Sequence, residues 1–122
     1  MIVDRCRDIE EFKKLHAECA NERINSSDNI LKNWDYHFCF YDEETEKLLG
    51  CIYIELDEGR TCLSGFSPRK NYKNIIEAIK WVSEFMRADN LFSHTNLPNA
   101  KIVLTRCGFD RLGDEWFIRK AY

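Results

Sequence analysis

Pro98 and Gly108 bracket a segment that can fold in few ways. A proline fits the first turn of a helix, where its missing N–H would have had no partner and its fixed φ suits the helix. A glycine ends a helix well, because it enters the left-handed region without a Cβ clash. The reading is a helix of about ten residues, stopped by Gly108 as the C′ residue. Before it, Leu91 to Thr95 has strand character; after it, Phe109 returns to a core and a strand-like tail runs to Tyr122. Strand, short helix and strand in so little chain imply that both strands join one sheet with the helix on its face.

The longest periodic stretch is Tyr72–Met86. Ile75, Ile76, Ile79, Val82, Phe85 and Met86 follow the i, i+3, i+4, i+7 rule, leaving Glu77, Lys80 and Glu84 on the other side. With Arg60–Phe66 as a strand before it and Leu91–Thr95 after it, this makes a β-α-β unit, whose two strands run parallel. Upstream, Tyr36–Tyr41 and Leu48–Leu56 read as strands around a charged turn, Asp42–Lys47, with Ile52, Ile54 and Leu56 sharing one face. Asp57-Glu58-Gly59 turns the chain into Arg60–Phe66. Met1–Arg5 suits a short edge strand. Asp8 caps a helix carrying Ile9, Phe12, Leu15, His16 and Cys19, and Asn25 to Asp28 starts a second, Asn29–Trp34. The expected class is a mixed α/β (α+β) sheet, mostly antiparallel.

Composition narrows the function classes. The 122 residues, 44% hydrophobic, suit a single folded domain over 1–122 and not a disordered chain. A net charge of −3 gives no global field to attract nucleic acid, so an anion site has to be a local basic patch. No apolar run approaches the roughly 20 residues of a membrane span, and Met1 to Arg5 has no apolar signal segment. The expectation is a cytoplasmic protein without membrane or nucleic-acid partners.

Six cysteines raise the question of metal or disulfides. Cys6, Cys19, Cys39, Cys51, Cys62 and Cys107 contain no C-x-x-C pair and no zinc-finger spacing with histidine, so no metal is expected. Cys39, Cys51 and Cys62 lie inside apolar strand patterns, where a free thiol behaves as a small hydrophobe. Cys39 and Cys51 can face each other across the hairpin. Trp34, Trp81 and Trp116, among apolar neighbours, read as core or cleft-lining residues, and Tyr36, Phe38, Phe40 and Tyr41 as a sheet face first and a binding surface second.

The segment Leu97-Pro98-Asn99-Ala100 through Gly108-Phe109 resembles the C-terminal signature of the GCN5-related N-acetyltransferases, Asn-x-x-Ala…Gly-Phe. Ala100, Gly108 and Phe109 fall in register, while Leu97 stands at the family's asparagine position. The order of elements can be laid on that fold throughout, and the chain is similar in style to compact phage-encoded members. The resemblance implies a twisted sheet with a central, splayed parallel strand pair, Arg60–Phe66 and Leu91–Thr95, and helices on both faces. It also implies acetyl-CoA as co-substrate and an amine of a small molecule or protein as acceptor.

In that family a loop of pattern Gln/Arg-x-x-Gly-x-Gly/Ala presents amides to the coenzyme pyrophosphate at a helix N-terminus, the general physics of an anion site. Here the stretch is Ser67-Pro68-Arg69-Lys70-Asn71-Tyr72-Lys73-Asn74. Aligning Asn71 with the Gln/Arg position puts Ile75, Ala78 and Ile79 on the family's apolar helix positions; aligning Arg69 there does not. In either register the loop lacks glycine, and Arg69, Lys70 and Lys73 are the cations available to pyrophosphate. The resemblance thus implies Phe66, Ser67, Arg69, Lys70, Asn71, Tyr72, Lys73 and Asn74 as coenzyme-binding, with Asn96 and Asn99 beside the last helix. A family base commonly comes from a carboxylate on a central strand. Glu55, pointing opposite to Ile52 and Ile54, is the first candidate and His94 the second. The tyrosine that commonly serves as acid is replaced by Leu104. The alternative reading is an inactive protein of this fold that binds a partner.

Overall fold

A computed structural model describes residues 1–19, 26–32 and 36–122. Among the described residues seven strands form one sheet in the order β1-β2-β3-β4-β5-β7-β6. The strands are β1 (Ile2–Asp4), β2 (His37–Tyr41), β3 (Leu48–Asp57), β4 (Arg60–Phe66), β5 (Leu91–His94), β6 (Asp110–Arg111) and β7 (Trp116–Arg119). Among them the β4–β5 pair is parallel, and the other pairings are antiparallel. The helices are α1 (Ile9–Cys19), α2 (Ser27–Leu31), α3 (Tyr72–Phe85) and α4 (Pro98–Arg106).

Two hydrophobic clusters lie on opposite faces of the sheet. Phe40, Ile52, Ile54, Leu63, Leu91 and Phe117 pack with the apolar stripes of α3 and α4. Cys39, Tyr41, Cys51, Tyr53 and Phe66 pack with Phe12 of α1 and Ile30 and Leu31 of α2. The alternation of strand side chains sorts these residues by face. Strand β3 is buried on both faces over most of its length, the mark of a central strand. At Gly65 of β4 an added Cβ would come within 2.6 Å of the Cys51 carbonyl oxygen, so the close approach of β3 and β4 requires glycine.

Local signals act at the helix ends. The Asp8 carboxylate accepts from the amides of Glu10 and Glu11 and starts α1, and the Ser26 hydroxyl accepts from Asn29 N–H at α2. Pro98 opens α4. Gly108 has φ of 86°, its amide donates to Thr105 O at 3.1 Å, and Phe109 N–H donates to Leu104 O at 3.1 Å. That pair of bonds is the Schellman motif, completed by the burial of Leu104 and Phe109 in the same cluster.

Several expectations change. The second helix spans Ser27–Leu31 instead of Asn29–Trp34, and Trp34 lies outside the described residues. Leu56, expected on the apolar face with Ile52 and Ile54, is 73% exposed because β3 there runs past the end of α3's cover. Phe85 and Trp81 are also exposed; they stack on each other at 5.4 Å with Phe38 edge-on to both, so the outer edge of α3's stripe ends in an aromatic patch on the surface. Phe40 and Tyr41 are fully buried and serve as core, not as a binding surface. The six cysteines are free thiols; Cys39 and Cys51 are directly paired across β2 and β3, as the hairpin register implied. Among the described residues no cluster of three or more His, Cys, Asp or Glu could hold a metal, and no helix is long and apolar enough to cross a membrane.

Candidate active-site cleft

The parallel pairing of β4 and β5 is short. Its register comprises Thr61 with Leu91 and Cys62 with Phe92. Beyond that point β4 stays with β3 as far as Phe66 opposite Cys51, and β5 stays with β7 as far as His94 opposite Trp116. The strands therefore diverge toward their C-terminal ends, and the sheet splits between Ser64–Phe66 and Ser93–Thr95. The buried Ser93 hydroxyl bridges the start of the split, donating to Leu63 O at 2.8 Å. Past this bridge each strand turns an edge of backbone N–H and C=O groups toward the gap.

The chain leaves β4 through Ser67 and Pro68 into a 3-10 turn, Arg69–Asn71, that runs straight into α3. Asn71 N–H donates to Pro68 O at 2.9 Å and Tyr72 N–H to Arg69 O, so these two amides are already engaged within the turn. The amides of Arg69 and Lys70, at the front of the turn, precede its first hydrogen bond. The tight turn brings backbone to the helix end without left-handed residues. Arg69, Lys70 and Lys73 are exposed around it, and Tyr72 and Asn74 are half-buried.

Other loop residues hold the loop itself. The Ser67 hydroxyl donates to Leu49 O at 3.2 Å and Asn71 Nδ2 to the same carbonyl at 3.1 Å, tying the loop to the start of β3. The Phe66 side chain is core, its ring 5.3 Å from Phe12 and 4.7 Å from His16, so what Phe66 turns toward the split is backbone. Asn96 is exposed and Asn99 half-buried at the entrance of α4. Leu104 is buried in the α3 cluster, against which Tyr72 of α3 is also packed.

The two candidate bases lie on one face: His94 borders the split, and Glu55 stands level with the paired Cys62 and Phe92, short of it. Glu55 shares the α1/α2 face with Tyr53 and Cys51, opposite Cys62. His94 is on the same face two residues beyond Phe92, exposed, with Nε2 3.5 Å from Glu115 and its ring 4.8 Å from Trp116. Strand spacing puts their Cα atoms about 12 Å apart. Glu55 opens into a cavity of about 410 Å³ between α2 and the end of β3, with Asn29, Ile30, Tyr36, Tyr53 and Asp57 among its walls. Arg60, also on this face, lies over the Trp116 ring at 4.3 Å and faces Glu58 at 3.7 Å.

His16 and Arg119 were not anticipated as functional. Burial holds the His16 imidazole below its usual pKa; its Nδ1 is 2.7 Å from the Ser27 hydroxyl. Arg119 is buried on the inner face of β7 beside Phe117. A charged residue at an inward position of an apolar strand was the one signal in the sequence that could have singled it out.

Several solved structures have a similar fold. The protein smu.2055 from Streptococcus mutans UA159 matches with a TM-score of 0.74 at 15% identity, over 98% of this chain and 99% of that one. An N-acetyltransferase from Staphylococcus aureus Mu50 matches at 0.72 and 16%, over 98% of both chains. An acetyltransferase of the GNAT family from Bacillus anthracis matches at 0.61 and 15%, over 95% of this chain and 89% of that one. No protein-family model and no curated protein sequence matches the chain. At such identities the likeness is one of fold. The chain has the fold of the GCN5-related N-acetyltransferases, with β4 and β5 as its parallel pair.

Proposed function

We propose that, on this fold, the chain is an acyl-CoA-dependent N-acyltransferase that transfers an acetyl group to an amine of a small molecule or a protein. The observation that carries the reading is the split between β4 and β5, opening beside a helix N-terminus with unpaired amides and three exposed cations. An extended ligand with amide groups can pair with the free edges of Ser64–Phe66 and Ser93–Thr95, as a peptide adds to a sheet edge. Its pyrophosphate would meet the Arg69 and Lys70 amides and the side chains of Arg69, Lys70 and Lys73. The residues present fit such a ligand: the amides of Arg69 and Lys70 and the cations lie at one end of the split, His94 borders it, and Glu55 stands on the same face just short of its start.

The thioester supplies an activated acyl carbon. The amine nitrogen attacks that carbon, the C–S bond breaks, and the sulfur leaves with the bonding electron pair. The chain has to hold a neutral amine, accept its proton and exclude competing water. Glu55, at the cavity wall, is the first candidate to accept the proton. His94 is the second, with Glu115 beside it to stabilise the imidazolium. Backbone N–H groups at the edge of β4 are the candidate donors to the carbonyl oxygen as it gains charge. With Leu104 where a tyrosine commonly stands, the thiolate takes its proton from solvent.

A second reading is an inactive protein of this fold that binds a partner. It draws on the engaged amides of Asn71 and Tyr72, on Leu104, and on the exposed Trp81–Phe85 pair. Incubation with acetyl-CoA and a panel of primary amines, monitored by thiol release, separates the readings. The enzyme reading expects amine-dependent thiol release and a fall in kcat, with the KM for acetyl-CoA unchanged, in Glu55→Gln. A fall in His94→Gln instead moves the base to His94. No release with any amine favours the binding-module reading.

A further inference from the structure

About 20 Å from the coenzyme loop, at the other end of α3, lies a second cavity of about 380 Å³. Lys80, Ser83 and Glu84 of α3, Cys107 at the end of α4, Arg119 of β7 and Tyr122 line it. This volume falls at the lower end of the range for small-molecule sites.

Its polar wall is incompletely paired. A guanidinium has five N–H donors. In Arg119 four are taken: Nη1 donates to Arg87 O at 3.3 Å and Lys120 O at 3.2 Å, and Nη2 to Ser83 O at 3.1 Å and Met86 O at 3.0 Å. The fifth, on Nε, is buried and has no partner, and the buried Ser83 hydroxyl has none either. Arg119 is 7% exposed and Ser83 6%. Buried donors left without partners are uncommon and costly. Among the described residues no carboxylate forms an ion pair with Arg119.

The charges on the wall favour an acceptor with negative charge. Lys80 adds a second cation. Glu84 is the carboxylate there, but one of its oxygens accepts from the Tyr122 hydroxyl and the other faces Arg87 at 3.5 Å. The carbonyls at the C-terminus of α3, which would repel an anion, already accept from Arg119. The Tyr122 ring lies over the guanidinium at 5.1 Å and is mostly exposed, so a ligand that displaces it also displaces its hydroxyl's bond to Glu84 and leaves Arg87 as that carboxylate's partner.

We propose that this cavity binds a small oxyanion, a phosphomonoester or a carboxylate on a compact body. Arg119 Nε–H and the Ser83 hydroxyl are the fixed donors and Lys80 Nζ is the mobile second charge. The site is independent of acyl transfer: none of its residues lines the split in the sheet.

The Arg119 Nε–H group is directly observable by nitrogen-edited NMR, assigned through its own side-chain carbons. The test titrates inorganic phosphate and, separately, acetate into the full chain carrying Lys70→Glu and Lys73→Glu, with ionic strength held by chloride. The expected result is a saturable shift of the Arg119 Nε–H resonance at millimolar anion. The tighter of the two anions identifies the ligand as phosphate- or carboxylate-bearing. Lys80→Ala and Ser83→Ala should each weaken binding roughly threefold or more, as loss of one charged or hydroxyl partner does. Either of two results overturns the proposal: a resonance unmoved by both anions at tens of millimolar, or a shift of equal affinity in the double variant Lys80→Ala, Ser83→Ala. In the first case no anion enters the cavity; in the second the anion binds without the Lys80 and Ser83 partners that define the site.

Discussion

The two ends of α3 treat the same physical problem in opposite ways. Every helix leaves amides without partners at its start and carbonyls without partners at its finish. At the finish of α3 the chain supplies the partners itself: Arg119 reaches from β7 and donates to the carbonyls of Ser83, Met86 and Arg87. At the start neither Pro68 nor Asn71 caps with a side chain, and three cations surround the opening without a carboxylate partner among the described ion pairs. The difference is that the chain itself closes the carbonyl end and leaves the amide end open. The closed end is a buried element of the fold, and the open end is exposed and positively charged, where an anion can finish what the chain leaves undone.

The largest effect that can break this contrast is at the closed end. Arg119→Ala removes four hydrogen bonds from one buried cation and should cost about 3 kcal/mol of stability in urea unfolding, since such bonds contribute more than neutral ones. A loss under about 0.5 kcal/mol, the usual surface value, would mean that Arg119 does not hold the helix end. At the open end, Lys70→Glu with Lys73→Glu should weaken acetyl-CoA binding by about 1–2 kcal/mol while leaving stability within about 0.5 kcal/mol of the parent. If stability falls and binding does not, the cations serve the fold. Smaller again is Asn71→Ala, which deletes the bond from Nδ2 to Leu49 O and should cost about 1 kcal/mol on thermal unfolding. An unchanged unfolding curve would mean that this tether does not position the loop.

The smallest effect lies away from both ends. Burial lowers the pKa of His16, so near its usual value of about 6.5 the unfolded chain takes up a proton that the folded chain refuses. Its contribution is therefore complete above that pH and is lost as pH falls toward the lowered native value. His16→Gln should flatten stability against pH on the acid side of neutrality. An unchanged slope would place the titration elsewhere.

What the sequence conveyed divides along the same line. The Pro98…Gly108-Phe109 segment was legible because each residue has one conformational use, and the Schellman bonds at Gly108 and Phe109 realise it. The β-α-β unit was legible from the periodicity of α3, and the facing pair Cys39 and Cys51 from hairpin register. The partners of Arg119 were not, because they depend on β7 packing against a helix end more than thirty residues earlier in the chain. The exposure of Leu56, Trp81 and Phe85 escaped for a related reason: periodicity assigns a face but not where its cover ends. At the loop, composition disclosed the cations and the absence of glycine, but not the 3-10 turn that engages Asn71 and Tyr72 and leaves Arg69 and Lys70 leading.

Calorimetric titration of the chain with acetyl-CoA, repeated at rising salt, tests most directly whether the open end of α3 and the split beside it receive a coenzyme. Binding in the micromolar range is the expected result. Its affinity should fall as salt increases, because Arg69, Lys70 and Lys73 are exposed and their attraction for pyrophosphate is screened over about 8–10 Å at ordinary ionic strength. An absence of heat at millimolar acetyl-CoA, or binding indifferent to salt, would contradict the account.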